Sequence, residues 1–157
     1  MSDSFSQIYI QIVFAVKGRD NLIHSSWESE LHKYITGFMQ NNGQKLLAIN
    51  GMPDHMHILI GMKPTCCLSD LIRELKKASS TFIKYKNFSP YAFQWQEGYG
   101  AFSYSHSNLN QVIAYIMNQK EHHKKKTFKE EYLELIQKFE IEHNPRNLFE
   151  WIDLQRG

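Results

Sequence analysis

The stretch His-Met-His-Ile-Leu-Ile-Gly-Met at residues 55–62 constrains the fold of this chain more than any other segment. Side chains of a β-strand alternate between the two faces of its sheet. One face of this stretch is therefore apolar and consists of Met56, Ile58, Ile60 and Met62. His55 and His57 project together from the opposite face. The alternation predicts a strand with its apolar side under helices and two neighbouring imidazoles on the other side.

Three other segments also read as strands. In residues 7–16 one side of a strand would carry Ile8, Ile10, Ile12, Phe14 and Val16, and the other side Gln7, Tyr9 and Gln11, which predicts a strand with one strongly buried face. Residues 45–51 form a predicted hairpin with residues 55–62, because Met52-Pro53-Asp54 between them has the composition of a tight turn. Residues 98–105 are predicted as the fourth strand.

Segments whose apolar residues have helical spacing lie between these strands and follow them. The first helix is predicted to begin at Ser25 in a capping box with Glu28 and to end at the glycine in Asn41-Asn42-Gly43. Ser69 opens the second helix. Asn108 is the predicted cap of a third helix that runs to about Lys124. Its buried stripe would consist of Leu109, Val112, Ile113, Ile116 and Met117. A further helix is expected around residues 130–140.

The resulting order, β-α-β-β-α-β followed by helices, predicts an α+β fold of the ferredoxin-like sandwich type. In that arrangement helices cover one face of the sheet and leave the other face open. The chain has 157 residues and contains no repeat and no linker-like segment, so we expect one domain over residues 1–157. Its core would span residues 7–132 and an acidic tail residues 133–157. No apolar run nears about 20 residues and no signal peptide is evident, so we expect a cytoplasmic protein without membrane contact.

Positive charge is concentrated in the middle of the chain. Residues 63–129 hold 11 Lys or Arg against 4 Asp or Glu, although the whole chain carries only +2. The basic side chains predicted to bind nucleic acid are Arg73, Lys76, Lys77, Lys84, Lys124 and Lys125. Aromatic residues between residues 85 and 95 separate these basic stretches. Cations interleaved with stacking rings suit single-stranded nucleic acid, although a solvated surface over core rings would give the same pattern.

Two elements could carry chemistry. His55 and His57, side by side on a strand, can chelate one divalent metal ion, and Asp54 could orient one ring. They could equally be two partly exposed strand histidines. On the third helix Tyr115 and Gln119 lie one turn apart on the face away from the apolar stripe. That face could simply be the polar side of an amphipathic helix. Beside a metal ion, however, a tyrosine can attack a phosphodiester.

These elements together resemble the single-tyrosine HUH transposases of bacterial insertion sequences and the related REP-associated tyrosine transposases. The resemblance runs from about Ile8 to Tyr132. It rests on Gly-Met-Pro-Asp-His-Met-His at 51–57, on Trp-Gln-Glu-Gly-Tyr-Gly-Ala-Phe at 95–102 and on Tyr-Ile-Met-Asn-Gln at 115–119. It is the combination of the two histidines with a later Tyr-x-x-x-Gln helix that makes the match specific.

The resemblance implies a role for each matching residue. His55 and His57 would be metal ligands, Gln119 would complete the site, and Tyr115 would be the nucleophile. The metal would be Mg²⁺ or Mn²⁺. The reaction would be cleavage and rejoining of single-stranded DNA, often near a hairpin at the element ends, through a 5′-phosphotyrosine bond. Members of the family form homodimers, so the same is expected here.

Other functions remain open at this point. A non-catalytic, single-stranded nucleic-acid-binding ferredoxin-like domain would explain the basic and aromatic residues but not the histidines, Tyr115 and Gln119. A metallo-hydrolase that activates water would not need the Tyr115 hydroxyl. A domesticated REP-associated nuclease would share the chemistry, but the short C-terminal extension favours an insertion-sequence transposase.

Overall fold

The computed structural model describes residues 5–18 and 22–141. Four strands and five helices follow one another in this part of the chain. In order they are β1 (Tyr9–Ala15), α1 (Ser25–Asn41), β2 (Lys45–Met52), β3 (His55–Gly61), α2 (Leu68–Tyr85), β4 (Gly100–Tyr104), α3 (Leu109–Met117), α4 (Gln119–His122) and α5 (Phe128–Lys138). No helix among these residues is long and apolar enough to cross a bilayer. The last 16 positions, which belong to the predicted acidic tail, lie outside the described residues.

The four strands form one antiparallel sheet in the order β2-β3-β1-β4. Val13 of β1 lies at the centre and pairs with His57 of β3 on one side and with Gly100 of β4 on the other. This is the ferredoxin-like order, with α1 and α2 as the two crossover connections. The predicted α+β class and element order are confirmed.

Helices α1 and α2 pack on the first face of the sheet. Their apolar stripes, which include Leu31, Ile35 and Leu75, meet the alternating apolar residues of β1 and β3. From the sheet this core receives Ile12, Phe14, Met56, Ile58 and Ile60, all essentially inaccessible to solvent. The apolar side of the histidine strand therefore lies where the alternation predicted.

The second face of the sheet is covered as well, so the prediction of an open face was wrong. Val13 and Phe102 of the sheet pack against Phe128 and Leu135 of α5. In a second cluster Ala48 and Leu59 contact Val112 and Ile116 of α3. The physical reason is that Val13, Ala15 and Leu59 are apolar on the histidine side too, which gives α3 and α5 a surface to bury. His55 and His57 are consequently 0% exposed rather than open to solvent.

The start of α1 differs from the prediction. At α1 the N-cap is His24, whose ring nitrogen accepts from the backbone N–H of Ser26, and Ser25 with Glu28 forms no capping box. The capping box lies instead at α5, between Thr127 and Glu130. Ser, Thr and Glu occur near many helix starts, so the motif alone does not choose between them.

The predicted third helix is also interrupted. Asn108 makes no side-chain cap, because it ends a short 3₁₀ turn over residues 106–108. Asn118 leaves the helical conformation and divides the helix into α3 and α4. Met117 just before the break is 57% exposed, not part of the buried stripe. The break turns Gln119 inward towards the sheet, where it is fully buried.

Candidate active site

The site lies between the second face of the sheet and the last three helices. β3 supplies His55 and His57, α3 supplies Tyr115, and α4 begins with Gln119. Opposite them, the buried face of α5 presents Glu131. Segments far apart in sequence thus meet within one chain, and the four residues predicted to form the site lie together.

Three imidazole nitrogens converge on one oxygen atom, Oε1 of Glu131. The Nε2 atoms of His57, His123 and His55 lie 2.9, 3.1 and 3.2 Å from it. The ligand atoms of His55, His57 and Glu131 all lie within 4.8 Å of one another. This spacing allows the three side chains to hold a single metal ion.

Gln119 lies in the same cluster. Its Oε1 is 3.2 Å from Nε2 of His55 and 3.1 Å from Nε2 of His123. Its amide nitrogen donates to Oε2 of Glu131 at 2.8 Å. The amide oxygen therefore faces the same space as the Glu131 oxygen and the histidine nitrogens.

The hydroxyl of Tyr115 donates a hydrogen bond to Oε2 of Glu131. The Tyr115 ring lies edge-on to His57, with 6.0 Å between ring centroids, and 4.7 Å from the ring of His122. The tyrosine is thus adjacent to the histidine pair of its own chain. One carboxylate links it, through two different oxygens, to the three histidines.

Further partners fix the orientation of the imidazoles. Oδ1 of Asp54 lies 2.7 Å from Nδ1 of His55, as expected from the sequence, and the backbone oxygen of Lys126 lies 2.7 Å from Nδ1 of His123. The Nδ1 atom of His57 is 2.8 Å from Nε2 of Gln11, whose oxygen accepts from the hydroxyl of Tyr104 at 2.7 Å. Asp54 and the Lys126 carbonyl accept from Nδ1, which leaves Nε2 of His55 and His123 free for a metal ion. The Gln11 amide nitrogen instead donates to Nδ1 of His57 and places the proton on its Nε2, so a metal ion at that atom would go with the Gln11 amide turned over.

Electrostatics in the cluster favour a protonated His55 and an ionised Glu131. Burial would lower the pKa of His55, but Asp54 and Glu131 outweigh it and raise that pKa to about 9. Burial lowers the pKa of His57. Burial would raise the pKa of Glu131, yet the surrounding histidines hold it far below its usual range. Burial and the charge of Glu131 raise the pKa of Tyr115 well above its ordinary value, so its phenol is protonated at neutral pH.

The donor chemistry fits a divalent cation. A His55 ring that donates from Nδ1 to Asp54 turns the lone pair of its Nε2 towards the oxygens of Gln119 and Glu131. Nitrogen lone pairs and oxygens that face one another require a cation between them, either a proton or a metal ion. Imidazole nitrogens with carboxylate and amide oxygens are a set that Mn²⁺ and Mg²⁺ accept.

Sequence reasoning missed Glu131 and His123. One signal for Glu131 was available, because it lies three residues after Phe128 and four before Leu135, on the apolar stripe of α5. A carboxylate in such a stripe is rarely buried without partners. His123 gave no comparable signal, since it lies in a run of histidines and lysines that reads as solvated surface.

The basic residues predicted to bind DNA fall into two groups. Arg73, Lys77 and Lys84 are exposed on α2, which packs on the sheet face opposite the histidines. Lys76, also on α2, donates from Nζ to the backbone oxygens of Gln96 and Gly98. Lys124 and Lys125 follow α4 and lie on the same side of the sheet as Tyr115. Lys125 lines a cavity of about 230 Å³ with His122, whose ring contacts Tyr115.

Comparison with solved structures identifies the class of fold. A candidate transposase from Deinococcus radiodurans R1 has a TM-score of 0.58 and 23% sequence identity, over 76% of this chain and 98% of that one. A REP-associated tyrosine transposase bound to a REP hairpin also has a TM-score of 0.58, at 17% identity, over 78% of this chain and 74% of that one. This chain shares its fold with both proteins.

Comparison with sequences gives the family. The model of the family "Transposase IS200 like" matches residues 4–119. The ISDra2 transposase TnpA of Deinococcus radiodurans is 24% identical over 118 residues, which cover 72% of this chain and 84% of the relative. The chain belongs to the IS200-like transposase family, which makes it a DNA-processing enzyme. His55, His57, Tyr115 and Gln119 lie inside the matched region, whereas His123 and Glu131 lie beyond it.

Proposed function

We propose that this protein cuts and rejoins single-stranded DNA through a covalent bond between DNA and Tyr115, with the help of a divalent metal ion. The observation that carries the proposal is the convergence of the Tyr115 hydroxyl, two strand histidines and the Gln119 amide on one buried carboxylate. A site of this kind joins a nucleophile to metal-ligating groups.

The metal would be Mg²⁺ or Mn²⁺, held by His55, His57, Gln119 and Glu131. A bound divalent ion would neutralise negative charge on the phosphate under attack. The chain itself supplies the rest. Asp54 and Gln11 fix the two histidine rings, and Glu131 holds the Tyr115 hydroxyl beside them.

The reaction exchanges one phosphodiester bond for another. The Tyr115 oxygen bonds to phosphorus as the bond from phosphorus to the 3′ oxygen breaks. That oxygen takes up a proton from water and leaves as a 3′ hydroxyl, while the phenol proton passes along its hydrogen bond to Glu131 and on to water. In the second step the 3′ hydroxyl of another strand attacks the 5′-phosphotyrosine and Tyr115 regains its proton. The bond energy is kept throughout, so no nucleotide cofactor is needed.

The proposed substrate is single-stranded DNA, with a hairpin at the element ends. The hairpin is suggested by the REP hairpin bound to one structural neighbour, and the single strand by the basic middle of the chain. Lys124 and Lys125 are the basic residues best placed to hold phosphates near Tyr115. Arg73, Lys77 and Lys84 could bind only DNA that reaches the other face, and Lys76 keeps a structural role. A homodimer is part of the proposal through the family resemblance alone.

A binding domain without catalysis is the weaker alternative, because it gives no role to the buried cluster around Glu131. A domesticated REP-associated nuclease would catalyse the same reaction. That alternative differs in whether the protein still moves an insertion sequence, and not in the chemistry of the site.

The deciding experiment is an assay with labelled single-stranded DNA from the flanks of the gene, with Mg²⁺ or Mn²⁺. Wild type is compared with Tyr115→Phe on a denaturing gel. A metal-dependent protein–DNA adduct that disappears in Tyr115→Phe is expected. Cleavage that persists in Tyr115→Phe would indicate water activation and contradict the proposal, as would tight binding of every flank sequence without any cleavage.

A further inference from the structure

A cavity of about 310 Å³ opens directly beside Tyr115 and is not explained by the metal site. It lies between α3 and α5, at the end of β4. Its lining residues are Tyr104, Asn108, Gln111, Val112, Tyr115, Glu134, Leu135 and Lys138. The volume is at the small end of the range for ligand sites, which suits one flat ring system.

The lining combines an apolar floor with a polar rim. Val112 and Leu135 are buried and apolar, and the ring of Tyr104 adds an aromatic surface. Lys138 approaches that ring, with Nζ 5.7 Å from its centroid. An aromatic ring beside aliphatic side chains is a surface on which a nucleobase can stack.

Two amides at the rim could recognise the edge of a base. Asn108 and Gln111 are exposed, and their side chains hydrogen-bond to no group within residues 5–18 and 22–141. Each amide carries both a donor and an acceptor, as base edges do. At the rim, the Glu134 carboxylate is paired with Lys126 at 2.8 Å, and Lys138 lies over the Tyr104 ring.

We propose that this cavity holds one unpaired base of the DNA strand, next to the phosphate that Tyr115 attacks, and that Asn108 and Gln111 select which base it is. This inference rests on the proposed function. Because Tyr115 forms part of the cavity wall, a base inside it brings the adjoining phosphate to the phenol. Enzymes that act on DNA commonly hold an unstacked base in a pocket and read its edge in this way.

The first test does not depend on cleavage. The full-length ¹⁵N-labelled protein is titrated with the four deoxynucleoside 5′-monophosphates, and the side-chain amide signals of Asn108 and Gln111 are followed by NMR. Asn110, on the same helix but outside the cavity, is the internal control. Saturable shifts at Asn108 and Gln111, largest for one base, are expected, with about tenfold weaker binding in Gln111→Ala. Shifts that are absent for all four nucleotides, or equal at Asn110, would overturn the inference.

The second test uses the cleavage reaction. An abasic position is moved one nucleotide at a time along the strand around the cut. For wild type, one position should slow adduct formation about tenfold, the size of effect that base contacts give. In the double variant Asn108→Ala/Gln111→Ala the same substitution should have little further effect, whereas Asn110→Ala should behave as wild type. Equal sensitivity in all three proteins would overturn the inference. A wild type that never cleaves would contradict the proposed function, and the nucleotide titration would still decide the cavity.

Discussion

The hydroxyl of Tyr115 donates a hydrogen bond to Glu131, a residue 16 positions further along the chain and on a different helix. Glu131 lies outside the region matched by the family model, which ends at Gln119. Its second oxygen is 2.9 Å from His57, so the carboxylate connects the expected nucleophile to the expected metal ligands. The site therefore extends onto α5.

Replacement of Glu131 by Gln should weaken Mn²⁺ binding at least tenfold and abolish most adduct formation. The amide keeps the shape of the side chain but removes the charge that holds His55 and His57 around a cation. Isothermal titration with Mn²⁺ measures the effect. Glu130→Gln is the matched control, because Gln can also complete the capping box at Thr127. Equal affinity in the two variants would remove Glu131 from the site.

His123→Ala should lower Mn²⁺ affinity about tenfold, whereas His122→Ala should leave it near the wild-type value. His123 Nε2 lies 3.1 Å from oxygens of both Gln119 and Glu131. The neighbouring His122 contacts the Tyr115 ring instead. The two variants differ by one position, so general damage to the segment would affect both. If His122→Ala lost the metal and His123→Ala retained it, the positions of these two histidine side chains in the structure would be contradicted.

Gln11→Leu should weaken metal binding by about 10–100-fold. Of the His57 ring, Gln11 contacts only the Nδ1 atom, on the side away from the cluster. Its loss frees the His57 ring and also leaves the Tyr104 hydroxyl without its acceptor, at a cost of about 1–3 kcal/mol in unfolding free energy. Metal titration and urea denaturation measure the two effects. Tyr104→Phe is the control, since it removes only the second hydrogen bond; it should retain metal affinity.

Stability without metal should depend on pH in a defined direction. The pKa of His55 is about 9 in the folded protein, above its ordinary value near 6.5. Its contribution is therefore complete below about pH 6.5 and is lost as the pH rises towards 9. Unfolding free energy in EDTA should fall by a few kcal/mol over that interval. With saturating Mn²⁺ the fall should be much smaller, because a metal-bound His55 carries no proton to lose. Denaturant titrations at pH 6.5, 8 and 9 in both conditions test this, and equal slopes would contradict it.

The sequence predicted the sheet and the core on its first face because Met56, Ile58 and Ile60 recur at every second position. That spacing is typical of a β-strand with one buried face. The sequence placed Tyr115 in a helix because helical spacing is local too, but it put Gln119 on that same helix, whereas Gln119 begins α4. It did not predict the helix break at Asn118, which depends on how α3 and α4 pack on β2 and β3. Glu131 and His123 were missed for the same reason, since only tertiary packing brings the segment after residue 119 over the histidines. The covered second face follows from Val13 and Leu59, whose apolar character did not reveal what would cover them.

The two groups of basic residues should contribute unequally to DNA binding. Each phosphate contact to single-stranded DNA adds about 0.7 to the slope of log affinity against log salt. The double variant Lys124→Gln/Lys125→Gln should lower that slope by about 1.4, because both lysines lie on the side of the sheet that carries Tyr115. Lys77→Gln/Lys84→Gln removes the same charge from the opposite face and should change the slope little. Fluorescence anisotropy with a labelled single strand of about 30 nucleotides, measured at several salt concentrations, gives both slopes. A larger decrease of the slope in Lys77→Gln/Lys84→Gln would contradict this prediction. It would mean that the DNA strand wraps around the edge of the sheet and contacts α2.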